Sequence, residues 1–209
     1  MARCNVRVAD HHLANPGRAP ATADLFFAAG LRLCAVQISN FRSDIGKLKQ
    51  VVAGGATRAE SVRNGLDAVA GATTVVAVHD GARPLVSTEE IAATIDKATE
   101  VGAACLVGAV TDTIKTIRGD EISGTLDRDK LRRAFTPQAF NIEVLRRAFV
   151  LGDVSEAATD ECYLVEKLGH PIAFVEGSSR NIKITRHEDL IFAKAYLSEP
   201  PALAGGINP

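Results

Sequence analysis

Residues 54–84, GGATRAESVRNGLDAVAGATTVVAVHDGARP, limit what this 209-residue chain can fold into more than any other stretch. A glycine pair leads into a short amphipathic segment, then into an apolar run that ends on an acid. Gly54-Gly55 lets the backbone turn tightly and approach a ligand with no Cβ in the way. Ser61, Val62, Gly65, Leu66 and Val69 recur at helical spacing, which predicts a helix near 58–70 with Ser61 one or two turns inside it. Thr74 to Val78 is a β-branched run suited to a buried strand. His79-Asp80-Gly81-Ala82-Arg83-Pro84 then puts an acid and a base just past that strand's C-terminal end, the edge where open α/β sheets bind ligands.

The remaining chain continues the alternation. Residues 1–20, with Pro16, Gly17 and Pro20, read as irregular. Residues 21–30 suggest a short helix around Leu25-Phe26-Phe27, Leu33 to Ser39 a strand, and Val51-Val52 another short one. Ser87-Thr88-Glu89-Glu90 reads as an N-cap with acids in the first turn of a helix running to about Val101. Ala103 to Val110 predicts a strand. From Thr113 to Leu126, apolar residues flank the polar turn Arg118-Gly119-Asp120-Glu121, a hairpin pattern. Helices are expected at about 141–150, 159–168 and 187–197, with strands at Phe174-Val175 and Ile182-Lys183-Ile184. Strands alternating with helices predict a mostly parallel, three-layer α/β domain over 21–198, and residues 199–209 read as a loose tail.

Composition narrows the function. A formal net charge of −1 gives no electrostatic case for nucleic acid or a membrane surface as partner. No run of 18 apolar residues is present, so a spanning helix is excluded. Cys4, Cys34, Cys105 and Cys162 lack metal-site spacing and read as reduced thiols in a cytoplasmic protein. With no Trp and two Tyr, an aromatic stacking platform for sugars or bases is disfavoured.

Three further stretches accompany residues 54–84: Ala109-Val110-Thr111-Asp112-Thr113-Ile114-Lys115, Thr136-Pro137-Gln138, and Asn181-Ile182-Lys183-Ile184-Thr185 followed by Glu188-Asp189-Leu190. In this order and spacing, over roughly residues 50–197, the chain resembles the cytidylyltransferases that act on 2-C-methyl-D-erythritol 4-phosphate in the non-mevalonate isoprenoid pathway. The resemblance implies a Rossmann-like fold whose segment 111–135 is a protruding β-arm that hooks around a second subunit of a homodimer; an ordinary surface hairpin is the plainer alternative. It implies transfer of CMP from CTP to methylerythritol phosphate with release of pyrophosphate, and Mg²⁺ carried mainly by the CTP phosphates, with no protein metal site. Such chemistry asks the protein for positioning and positive charge around the α-phosphate.

By the same resemblance, Gly54, Gly55 and Ser61 lie against the cytosine and ribose and Arg58 fixes that loop, although Ala56 stands where family members often carry an acid. Taken alone, Ser61 would equally suit a backbone contact in the helix. Asp80 would hold acceptor hydroxyls or sit near the metal, and Arg83 would orient the loop or a phosphate; the plain alternative is a local ion pair. Lys183 would hold the attacking acceptor phosphate, a task that suits an ammonium point charge; otherwise it is an outward edge residue. Thr125, Arg128 and Thr185 are the remaining acceptor-side candidates, Thr125 and Arg128 reaching a neighbouring subunit's site. Asp160-Glu161 suits either the site or a helix N-terminus.

The family's first strand, its glycine-rich loop with an arginine, and its Pro-Lys-Gln triplet are not visible before residue 50. Ala28-Ala29-Gly30-Leu31-Arg32 lacks the glycine-rich continuation, and Lys49-Gln50 lacks the proline. A truncated, frame-shifted or degenerate start would each explain this. Two other readings stay open: a sister enzyme, sharing much of this motif set, that uses a pentitol phosphate such as ribitol 5-phosphate, and, because the triphosphate cradle is not visible, a folded remnant without catalysis.

Overall fold

The computed structural model of the chain describes residues 5–11, 23–28, 48–69, 71–151 and 159–198. Its centre is a seven-stranded sheet built from β1 (Asn5–His11), β2 (Ala23–Ala28), β3 (Leu48–Ala53), β4 (Val75–Asp80), β5 (Ala103–Ala109), β8 (Arg132–Asn141) and β9 (Ala173–Glu176), in the order β3-β1-β2-β4-β8-β5-β9. Strands β6 (Lys115–Arg118) and β7 (Glu121–Thr125) form a separate antiparallel hairpin. Within the main sheet, β3, β2, β4, β5 and β9 run one way and β1 and β8 the other.

Alternation along the strands divides the core into two layers. Val76 and Val78 of β4, Cys105 and Val107 of β5 and Phe140 of β8 face Val62 and Leu66 of helix α1 (Arg58–Asp67), Leu145 and Phe149 of α3 (Ile142–Leu151) and Leu164 and Val165 of α4 (Glu161–Lys167). Val75, Ala77, Ala104 and Ala139 face the opposite side, where Ile91, Ile95 and Ala98 of α2 (Thr88–Val101) cover them. The sheet thus lies between two helical layers. Helix α5 (His187–Ser198) buries little beyond Ala193.

The helix ends follow from local chemistry. Ser87 caps α2 through a reciprocal capping box with Glu90, and Gly102 closes the helix in the left-handed region at φ 94°, where glycine bears no Cβ penalty. Thr57 and Glu60 form the same box at the start of α1.

Four differences from the sequence reading have physical causes. Ala23–Ala28 is a strand and not a helix: its Leu-Phe-Phe run suits a pleated surface and gains a parallel ladder with β4, Phe26 opposite Val78. Asn5–His11, read as irregular, is a strand with antiparallel partners on both sides. β8 was not foreseen, because Arg132, Arg133, Pro137 and Gln138 do not read as a central strand. Its ladder with β5 shifts register between Cys105 and Val107, an irregularity of the kind that lets a sheet accommodate proline. Finally, Ile182–Ile184 pairs with no strand among the described residues; Ile184 N–H donates to the Ala82 carbonyl at 2.8 Å, tying the segment to the loop after β4. The strand expected at 33–39 lies outside the described residues, as do Ala29 to Arg32 of the weighed glycine loop; Lys49-Gln50 belongs to β3.

Candidate active site at the end of strand β4

Asp80 is the last residue of β4 and the centre of a charged cluster. Lys183 Nζ lies 2.8 Å from one carboxylate oxygen and Arg83 Nε 3.8 Å from the same oxygen, while Arg58 Nη2 lies 3.6 Å from the other. Arg58, the first residue of α1, also grips Glu161, the first residue of α4, through Nη1 and Nη2, the latter at 2.9 Å. Glu161 is fully buried. Three cations, Arg58, Arg83 and Lys183, therefore gather around Asp80 at the sheet edge, while Glu161 and the charge of Asp160 also act on Arg58. Lys183 is the most open of them, its side chain 45% exposed against 12% for Asp80.

Ionisation follows from these contacts. Burial pushes the Asp80 carboxyl up, but the Lys183 hydrogen bond and the charges of Arg58, Lys183 and Arg83 outweigh it and hold the group below its ordinary value. Burial opposes the Arg58 charge, yet the Glu161 carboxylate overrides it and the guanidinium stays protonated. Burial raises Glu161 above the ordinary carboxylate value against the pull of Arg58.

A pH dependence of stability follows. Because Asp80 is depressed on folding, its contribution is complete above the ordinary value of 3.8 and disappears as pH falls through the lower folded value. Urea midpoints of the wild-type chain should therefore fall more steeply below about pH 4 than those of Asp80→Asn. Parallel curves for the two proteins would mean that Asp80 gains nothing from its cations.

The glycine-pair turn lies alongside. Gly55 is required by packing, since a Cβ there would stand 2.2 Å from the Cβ of Glu60. Gly55 N–H donates to Ser61 Oγ at 3.1 Å, and the Ser61 hydroxyl donates to the Thr57 carbonyl at 2.9 Å. Ser61 is fully buried, so it shapes the turn, with its hydrogen-bonding capacity directed at residues 55–57. Ala56 N–H, exposed after the glycines, donates to Glu60 at 2.6 Å.

Asp80, Arg83, Lys183 and Arg58 thus come together, with Gly54, Gly55 and Ser61 in the adjoining turn. Other candidates do not join them. Thr125 Oγ1 accepts from Lys115 Nζ at 2.7 Å within the hairpin, and Arg128 Nη1 donates to the Thr111 carbonyl at 2.8 Å at its base. The Thr185 amide and hydroxyl both donate to Asp189, which fastens the start of α5. Sequence reasoning leaves Asp160-Glu161 undecided; in the structure Asp160 caps α4 through Tyr163 N–H at 2.9 Å and accepts from Gln138 Nε2 at 2.8 Å, while Glu161 anchors Arg58. The buried polar residues His79, Thr136 and Asn181 were not singled out, although each lies inside a stretch quoted for the resemblance.

Among the described residues, no three His, Cys, Asp or Glu side chains gather as a metal site, and no helix is long and apolar enough to cross a membrane. A family profile described as 2-C-methyl-D-erythritol 4-phosphate cytidylyltransferase matches residues 35–199. The chain is similar to proteins of that name from Syntrophotalea carbinolica, 45% identical over 75% of this chain and 68% of the relative, and from Desulforamulus reducens, 45% identical over 72% and 65%. It therefore spans about two thirds of the length of the curated relatives it matches. Among solved structures it resembles the enzyme of the same name from Thermus thermophilus, with a TM-score of 0.62 and 37% identity over 68% of this chain and 70% of that one. A 4-diphosphocytidyl-2C-methyl-D-erythritol synthase from Anaerococcus prevotii gives a TM-score of 0.64 at 34% identity, over 70% of this chain and 68% of that one.

Proposed function

This chain belongs to the 2-C-methyl-D-erythritol 4-phosphate cytidylyltransferase family, a nucleotidyltransferase family, and from that premise we propose that it transfers CMP from CTP to methylerythritol phosphate. The observation that carries the reading is the cluster of Arg58, Arg83 and Lys183 around Asp80, at the end of a strand in an α/β sheet, with the Lys183 ammonium half exposed. A phosphate monoester is a ligand this open ammonium suits.

Lys183, open to solvent, holds the acceptor phosphate so that one of its oxygens attacks the α-phosphate of CTP in line while pyrophosphate leaves. Asp80 orients Lys183 and accepts hydrogen bonds from acceptor hydroxyls. Arg83 and Arg58 hold Asp80, and the internally braced 54–61 turn lies against the nucleotide. Asp80 is already matched by three cations, and among the described residues no three His, Cys, Asp or Glu side chains gather as a metal site. Mg²⁺, borne chiefly by the triphosphate, would neutralise charge on the phosphates when bound. A homodimer through the β6–β7 arm is part of the proposal, supported by Ile117 and Ile122, which lie opposite each other in the hairpin at 74% and 69% exposure.

The test is pyrophosphate release by the 209-residue chain with CTP and Mg²⁺, given methylerythritol phosphate or ribitol 5-phosphate. Turnover only with methylerythritol phosphate is expected. Preference for ribitol 5-phosphate would reassign the acceptor, and a folded chain inactive with both would sink the catalytic reading.

A further inference from the structure

The Asp80 cluster rests on a hydrogen-bond chain centred on a buried residue to which no role has yet been given. His79 precedes Asp80 on β4 and is 1% exposed. Its Nε2 lies 3.0 Å from the Arg83 carbonyl and its Nδ1 3.0 Å from Thr136 Oγ1. A carbonyl oxygen can only accept, so Nε2 carries the proton, and the Nδ1 lone pair takes the Thr136 hydroxyl hydrogen. That hydroxyl oxygen in turn accepts the Asp80 backbone N–H at 3.0 Å.

The chain continues toward Lys183. Thr136 O accepts from Asn181 Nδ2 at 3.0 Å, Arg83 Nη1 donates to Asn181 O at 2.8 Å, and Ile184 N–H donates to Ala82 O. One planar ring thus braces the end of β4, the centre of β8 and the 80–83 turn, and through that turn the backbone on either side of Lys183.

We propose that His79, as the neutral imidazole protonated on Nε2, is a positioning residue that sets Asp80 and Lys183 for the acceptor phosphate. The proposal deepens the cytidylyl-transfer reading and rests on it. Histidine suits the position because it places a donor and an acceptor on separate edges of one rigid ring, so it can span two backbone segments without flexing. Burial lowers the affinity of this ring for a second proton, against the pull of the Arg83 and Thr136 carbonyls and the Asp80 charge.

Half-isosteres separate the two arms of the brace. The amide of His79→Asn reaches the place of Nδ1 and can still accept from Thr136; that of His79→Gln reaches Nε2 and can still donate to Arg83. We expect His79→Ala to lower kcat by on the order of 10²-fold, as a misplaced reacting group does, with KM for CTP unchanged. His79→Asn and His79→Gln should each recover part of the loss. Paired with Thr136→Val, His79→Ala should cost no more than the larger single change, because both break one chain. A kcat for folded His79→Ala equal to wild type, Asn and Gln variants no better than Ala, or additive losses in the cycle would overturn the proposal.

Amide hydrogen exchange at Asp80 gives a readout free of turnover. Protection should fall in His79→Ala more than at neighbouring β4 amides. Should the wild-type chain itself prove inactive, the functional reading fails by itself, and unchanged Asp80 protection would then dispose of the brace.

Discussion

Replacing Lys183 with alanine should lower the rate of pyrophosphate release at saturating CTP by about 10²–10³-fold, the usual cost of deleting one preorganised charge aimed at a reacting phosphate. The expectation rests on two features together: Nζ is held 2.8 Å from Asp80, and the side chain is half exposed, so it is both fixed and reachable. Stability should fall less than activity. Asp80 is itself buried and loses its Lys183 hydrogen bond, but it keeps Arg58 and Arg83 nearby, so its charge is not stranded. Lys183→Arg should recover part of the rate, since a guanidinium keeps the charge but spreads it over a planar fork. A Lys183→Ala rate within about threefold of wild type would remove the lysine from the reaction.

Glu161→Ala should produce the opposite pattern, a large loss of stability that carries activity down with it. Arg58 is mostly buried and relies on both oxygens of a fully buried carboxylate. Deleting that carboxylate leaves an uncompensated charge between α1 and α4, at a cost of about 3–5 kcal/mol. Urea unfolding should show a lower midpoint with an unchanged slope. The freed guanidinium would turn further toward Asp80, 3.6 Å away, and compete with Lys183 for it. The double change Arg58→Met, Glu161→Leu should be more stable than Glu161→Ala alone, because an apolar pair strands no charge. If the double variant is the less stable protein, the pair is held by something other than mutual neutralisation.

Legibility in the sequence tracked how local the cause was. Strand β4, helix α2 with its Ser87 cap, β5 and the hairpin all carry their signals within a few residues, and they stand where the pattern puts them. β8 does not: two arginines, a proline and a glutamine speak against a strand, and only ladders with both β4 and β5 make it one. Ile182–Ile184 failed the other way, being apolar enough for a strand but fastened to the 80–83 turn. At the site, Asp80, Arg83 and Lys183 were readable because each follows or sits inside a short recognisable stretch. The bond between Arg58 and Glu161 joins residues 103 positions apart, and nothing near either residue announces the other. Thr136 and His79, 57 apart, were hidden for the same reason, though their flanking motifs marked the neighbourhood.

The carboxylate at the end of β4 has one more effect. On the proposed reading, the Lys183 ammonium has three N–H donors and gives one to Asp80, so an arriving phosphate shares it with a standing anion. Part of the lysine's charge is then answered before the phosphate arrives, and each capture gains less than a bare lysine would give. The same sharing would ease the departure of the product. Asp80 would in this way trade tightness of capture for speed of release.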